Sequence, residues 1–227
     1  MTGFEAHTRR MTTETLHPST SINIDPRPLF ATAVQIAAPV IAGVRPDQLE
    51  LPSPCVDFDV KGLLAHLVFV LHRVAKISRG EEAFSPGSMA DDVIEHLDWA
   101  ADWRHAAADV DSACADDALL ERTVVLPWAA MTGAEMLATY TSEVTTHTWD
   151  LAKATGQHAT WDDAVCRLAL DAMRRSLPMV DRGPIWEAFR ANAPANMQFD
   201  PPFANAVAVS SDAPLIDQLV AWTGRQP

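Results

Sequence analysis

Between Val60 and Ala75 the apolar residues fall where only a helix would place them. Val60, Leu63, Leu64, Leu67, Val68, Leu71, Val74 and Ala75 recur at three- and four-residue steps, which gathers them on one stripe. Such a stripe has to be covered, and the chain offers further helices to cover it. "PLFATAVQIAAPVIAGV" reads as a first helix, with Pro28 in its opening turn and Gly43 as its stop; Pro39 is expected to end or kink it. After the Pro-punctuated loop "RPDQLELPSPCVDFDV", Asp57 is the expected N-cap of the second helix, which Gly80 ends. "EEAFSPG" reads as a turn, and Ser88 opens a third helix with Val93, Leu97, Ala100, Trp103 and Ala107 on one stripe. "RTVVLPW" is β-branched and reads as a short strand or extended connection.

Thr132 and Glu135 have capping-box spacing at the start of a fourth helix that runs to Gly156. "TWDDAVCRLALDAMRRSL" reads as a fifth helix, with Thr160 three residues before Asp163. Beyond Pro178 the chain reads as irregular; "AVAVS" is a candidate partner strand for "TVVL", and "PLIDQLVAWTG" is a closing helix. The expected fold class is mainly α: an antiparallel four-helix bundle with a short β or extended segment and an additional C-terminal helical appendage. The expected division is a flexible N-terminal extension over residues 1–25, the bundle over 26–157, and C-terminal helices with an irregular segment over 158–227, packed on the bundle.

Composition narrows the partners. Lys and Arg number 17 against 30 Asp and Glu, a net charge of −13, and that field repels nucleic acid and anionic membranes. No apolar run reaches the roughly 18 residues of a membrane span, and the opening residues lack the apolar core of a signal peptide. Met1 and Met11 both remain open as starts. Cys55, Cys114 and Cys166 are too scattered for a disulfide framework; they are read as reduced, buried thiols in a cytoplasmic protein. A phosphate-cradling glycine loop, a dinucleotide fingerprint, a Ser/His/Asp elbow and a His-Glu-x-x-His motif are all missing from the sequence.

The stretch "EVTTHTWDLAKATG" is the one that does not look like ordinary core. On a helix Glu143 and His147 lie about 40° apart, and Asp150 falls about 20° to 60° from each. A solvated, salt-bridging face would explain this stripe, and so would a metal site. Two ligands hold an ion weakly, so the metal reading needs a third, for which His66 at the edge of the second helix's buried stripe is the candidate. His72 lies about 240° around that helix from His66 and cannot share the site. His96 and His105 sit among acids and read as surface residues. Cys55 would lie about 16 Å from His66 along a continuous helix, which argues against it as a co-ligand. Asp150 either supports a ligand histidine or pairs with Lys153 or Lys61; Trp149 either borders the ligand face or packs in the core.

Four segments together carry a resemblance: "SPCVDFDVKGLLAHLV", "VVLPWAAMTGAEML", "EVTTHTWDLAKATG" and "APLIDQLVAWTGRQP". Over about residues 26 to 227 the chain resembles the actinobacterial metal-binding proteins of the DinB/YfiT-like superfamily, related to the N-terminal domain of mycothiol-dependent maleylpyruvate isomerase. The resemblance implies a four-helix bundle holding a divalent metal, zinc first with nickel or another ion open, on His66, Glu143 and His147, with Asp150 behind them. It also implies mycothiol as a cofactor, a small-molecule thiol and an electrophilic substrate as partners, and a homodimer, since relatives with this bundle often pair.

The sequence departs from the family at "SPC", where Thr-Pro-Cys is frequent, and at "VDFD", where a Trp is common. Its C-terminus does not match the second domain of the isomerase, so that substrate does not carry over. The expected activity is a metal- and thiol-dependent transferase or isomerase. The alternatives are a non-enzymatic metal- or ligand-binding accessory of stress or detoxification and, more weakly, a metal-assisted hydrolase.

Overall fold

The computed structural model describes residues 24–84, 98–126, 129–192 and 203–227. Among these, the elements in chain order are α1 (Arg27–Ala42), α2 (Val60–Arg79), α3 (Trp99–Ala113), the single turn α4 (Ala118–Glu121), β1 (Thr123–Leu126), β2 (Ala129–Thr132), α5 (Gly133–Thr155), α6 (Asp163–Ser176), α7 (Gly183–Asn192) and α8 (Leu215–Trp222). The chain is mainly helical, as its periodicity requires, with one small antiparallel sheet. No helix among the described residues is long and apolar enough to cross a membrane.

Helix α5 is the centre of the molecule: α1, α2, α6 and α8 all pack on it, α2 and α1 also meet α3, and α6 meets α8. A helix covered on so many sides buries several hydroxyls, and four of them find partners within it. Thr141, Thr145, Thr148 and Thr155 each donate to the carbonyl four residues back at 2.7–2.8 Å, which satisfies them within the helix itself. Its start is fixed by the expected capping box: Thr132 accepts from the Glu135 N–H at 3.2 Å, and Glu135 accepts from the Thr132 N–H at 2.8 Å. A side chain at Gly133 would collide with the Leu119 carbonyl, so α4 rides directly on the start of α5. The helix stops at Gly156, whose φ of 69° is left-handed backbone that favours glycine.

Two apolar clusters result. One joins α1, α2, α3 and α5 through residues such as Phe30, Leu63, Leu67, Leu71, Trp103 and Leu137. The other joins Trp149 of α5 to Cys166, Leu170, Leu219 and Val220 of α6 and α8. Trp149 is therefore core, the plainer of its two readings, and Lys153 lies over its ring.

Several local expectations are corrected. Pro39 does not end α1, which continues to Ala42. The N-cap of α2 is Asp59, not Asp57: its carboxylate accepts from the Gly62 N–H at 2.7 Å. Asp162 caps α6, accepting from the Ala164 and Val165 N–H groups. The partner of β1 is β2, with Thr123 opposite Thr132, whereas "AVAVS" bonds the Met179 and Ala221 carbonyls instead. The supposedly irregular stretch after Pro178 contains α7. The third helix is described from Trp99, capped by Asp98, and buries Trp103, Ala106 and Val110; Ser88, Val93, His96 and Leu97 lie outside the described residues. Residues 1–23 of the expected extension also lie outside them, but Asp25 is held by Arg27, which bridges it to Asp117.

Candidate metal centre

His66 sits in the middle of α2, and Glu143 and His147 sit on the facing side of α5. The Glu143 carboxylate meets both imidazoles: Oε1 lies 2.9 Å from His66 Nε2 and 3.6 Å from His147 Nε2. Ligand atoms around a four-coordinate zinc ion stand about 3.3 Å apart, given bonds of about 2.0–2.1 Å. The observed separations bracket that figure, so these three side chains could hold a divalent ion with small adjustments. All three ligand atoms lie within 4.8 Å of one another. The two imidazoles meet edge to face at 4.8 Å, and Phe58 stacks on His66 at the same distance.

A second set of contacts holds His147 from behind. Its Nδ1–H donates to Asp150 at 3.0 Å, which fixes the ring and aims Nε2 at Glu143. Asp150, fully buried, also accepts from Arg225 at 2.8 and 3.1 Å. Asp150 therefore bonds both His147 and Arg225, and its cation is Arg225, not Lys153 or Lys61. No local pattern marks Arg225, which lies 75 residues away, past the closing helix.

Cys55 needs a similar revision. The loop before α2 is not a helical path; it turns back on itself through the Pro52–Asp59 bridge. Ser53 accepts from the Cys55 N–H and donates to the Phe58 carbonyl at 2.7 Å, so the serine of "SPC" keeps the hydroxyl that shapes the turn. As a result Cys55 comes close to His147 and Asp150, on the side of the imidazole away from Glu143. It does not join His66 and Glu143. Cys55, Cys114 and Cys166 are all buried and free, and burial pushes the Cys55 thiol up, away from its thiolate. His72 and His105 are exposed and apart from the triad.

The charges are set by competition between burial and contacts. Burial alone would raise the Glu143 carboxyl, but hydrogen bonds from His147 and His66 outweigh it and hold its pKa well below the ordinary value. Burial would lower His147, yet its bonds to Asp150 and Glu143 win and lift it to about 9. For His66 burial prevails over its one bond to Glu143 and lowers the pKa. At neutral pH the metal-free triad therefore holds one imidazolium, one neutral imidazole and one carboxylate.

Comparison with known proteins addresses the same segment. Residues 30–152 match the profile of the family described as mycothiol maleylpyruvate isomerase N-terminal domain. The chain belongs to this family. The matched span begins in α1, ends in α5 and contains His66, Glu143, His147 and Asp150. Two curated proteins of Mycobacterium tuberculosis, from strains CDC 1551 / Oshkosh and ATCC 25618 / H37Rv, are each 28% identical over 202 residues; the alignment covers 89% of this chain and 98% of each relative. Both are described only as uncharacterized proteins, so they extend the likeness past residue 152 without adding an activity. No solved structure matches the chain.

Proposed function

We propose that this protein binds a divalent metal, zinc first, on His66, Glu143 and His147, and serves as a metal- and mycothiol-dependent transferase or isomerase. The observation that carries the reading is the convergence of the three ligand atoms with His147 Nδ1 already committed to Asp150. Two imidazoles and a carboxylate are the donor types that suit zinc, and three protein ligands leave a position for a small molecule. The family's description supports a thiol as that molecule. A bound zinc ion would supply the Lewis acidity that makes a thiolate available at neutral pH.

The chain's own residues supply the rest. Asp150 keeps the His147 tautomer and orientation, and Arg225 keeps Asp150 ionised. Phe58 covers one face of His66 and keeps water from it. Cys55, with its raised pKa and its place behind His147, is left out as the nucleophile, which leaves that role to an incoming thiol. In this reading α1, α2, α3 and α5 form the antiparallel four-helix bundle, and residues 158–227 form the appendage that closes on it.

Elemental analysis of the purified protein, with thermal shifts in the presence of mycothiol, tests the proposal. The expected result is about one equivalent of zinc per chain, lost in His147→Ala, and a mycothiol-dependent rise in Tm seen only with metal bound. Native protein without divalent metal, or His147→Ala retaining it in full, would sink the reading.

A further inference from the structure

A cavity of about 240 Å³ lies where the end of α2 faces strand β1, with Gly80, Glu81 and Glu82 on one wall and Arg122, Thr123 and Val125 on the other. Gly80 is fourteen residues beyond His66, about 21 Å of helix, so the cavity stands apart from the triad.

The bonding of β1 decides what faces this cavity. The Gly133 N–H donates to the Arg122 carbonyl at 3.0 Å, which makes Arg122 and Gly133 a hydrogen-bonded pair. Bonded and unbonded pairs alternate along an antiparallel ribbon, so Thr123 and Val125, opposite Thr132 and Ala130, turn their N–H and C=O groups to the outer edge. Thr132 agrees with this, since its own N–H goes to Glu135. No residue of β2 lines the cavity, which therefore runs along the outer edge of β1. Among the described residues, the outward backbone groups of Thr123 and Val125 make no hydrogen bond, and neither do the N–H groups of Glu82 and Ala83 across the gap. Such an edge is a template for another strand unless something blunts it. Here nothing in β1 does: "TVVL" carries no charge and no proline, and Val125 is 78% exposed.

Charge adds a preference. Arg122 spends its guanidinium on the Ile77 and Ser78 carbonyls at the end of α2. Glu81 and Glu82 are exposed, and Glu82 accepts from the Phe84 N–H at 2.8 Å with one oxygen. Two carboxylates against one guanidinium leave the rim negative, and the carbonyl end of α2 reinforces it.

We infer that this cavity is a strand-docking slot: an extended segment of a partner protein, bearing a lysine or arginine, pairs its backbone with Thr123 and Val125 and sets its basic side chain against Glu81 and Glu82. The main-chain bonds supply affinity and the carboxylates supply choice. The volume falls short of the roughly 300–1,000 Å³ that encloses a small ligand, which favours a chain lying along the edge. The inference does not depend on the metal reading.

NMR titration of the full chain tests it, using the acetylated, amidated peptide Thr-Val-Lys-Val-Thr and its counterpart with Glu in place of Lys. The lysine peptide is expected to bind with a millimolar Kd and to protect the Thr123 and Val125 amides from hydrogen exchange, and the glutamate peptide should bind about tenfold more weakly. Val125→Pro removes an outward N–H without touching a β1–β2 bond and should weaken the lysine peptide about tenfold. If that variant does not fold, the lysine peptide N-methylated along its pairing edge reads the same bonds from the other side and should lose as much. Glu81→Gln with Glu82→Gln should abolish the preference for lysine, whereas Glu50→Gln, an exposed glutamate elsewhere, should leave it whole. Three results overturn the slot: no binding at millimolar peptide, binding that leaves the Thr123 and Val125 amides unprotected, or equal binding of both peptides by the native chain.

Discussion

In the proposed metal site His147 is the residue on which the chemistry turns, because a metal there would compete with a proton for its Nε2. With a pKa of about 9 it is an imidazolium at neutral pH, while His66, lowered by burial, is neutral. His66 can shift its proton between its two nitrogens without losing it, but His147 already uses Nδ1–H on Asp150 and must release the other. Zinc binding at pH 7 is therefore expected to release about one proton, falling toward none above about pH 9. Calorimetry in buffers of different ionisation enthalpy reads this number, and a release near zero at pH 7 would contradict it. The same shift gives a stability profile. His147 is raised above its unfolded value of about 6.5, so its contribution to the metal-free protein, on the order of 3 kcal/mol, is complete below that pH and is lost as pH rises through about 9. At this scale the sequence was partly legible. The i,i+4 spacing of Glu143 and His147 was visible in it, and so was the place of His66 at the edge of the α2 stripe, which the family resemblance then joined to them. Arg225 was hidden because no local pattern links residues 75 positions apart.

Helix α5 shows which parts of an element a sequence can specify. Its capping box was readable because Thr132 and Glu135 satisfy each other within four residues. The cap of α2 was misplaced by two residues because Asp57 and Asp59 compete at its start, and the surrounding structure chooses between them. At α2 the choice follows from the bridge of Asp59 with Pro52, which fixes the extended backbone an N-cap needs. The β2 segment was missed because "AAMT" has little β-branched character; it becomes a strand because the chain turns back along β1. Thr132→Ala should remove one half of the α5 box and lower global stability by about 1 kcal/mol in urea unfolding. Since Thr132 is about three turns from Glu143, zinc affinity should not change. A cost under about 0.3 kcal/mol would show that tertiary packing alone sets the start of α5.

Across the whole molecule, the C-terminal segment reaches the triad through a buried ion pair. α8 packs on α6 and α5, Arg182 bonds the Pro178, Ala204 and Trp222 carbonyls to bind the segment together, and Arg225, just beyond α8, closes on Asp150. Both partners of the Arg225–Asp150 pair are buried, so breaking it by one side leaves an unpaired charge in a poor solvent. Arg225→Met and Asp150→Asn are each expected to cost about 3 kcal/mol or more of unfolding free energy, whereas the double variant should cost clearly less than the sum. The pair also links stability to the site. Arg225→Met leaves Asp150 to His147 alone and takes a positive charge from the surroundings of that imidazole, which raises its pKa further. Zinc then has a costlier proton to displace at pH 7, and its affinity should fall by about tenfold, a loss that shrinks as pH rises past 9. Thr132→Ala is the control that separates these effects, since it should lose stability without losing metal. If Arg225→Met destabilised the protein yet bound zinc as tightly as the native chain at pH 7, the C-terminal segment would be a brace for the fold and not part of the metal centre.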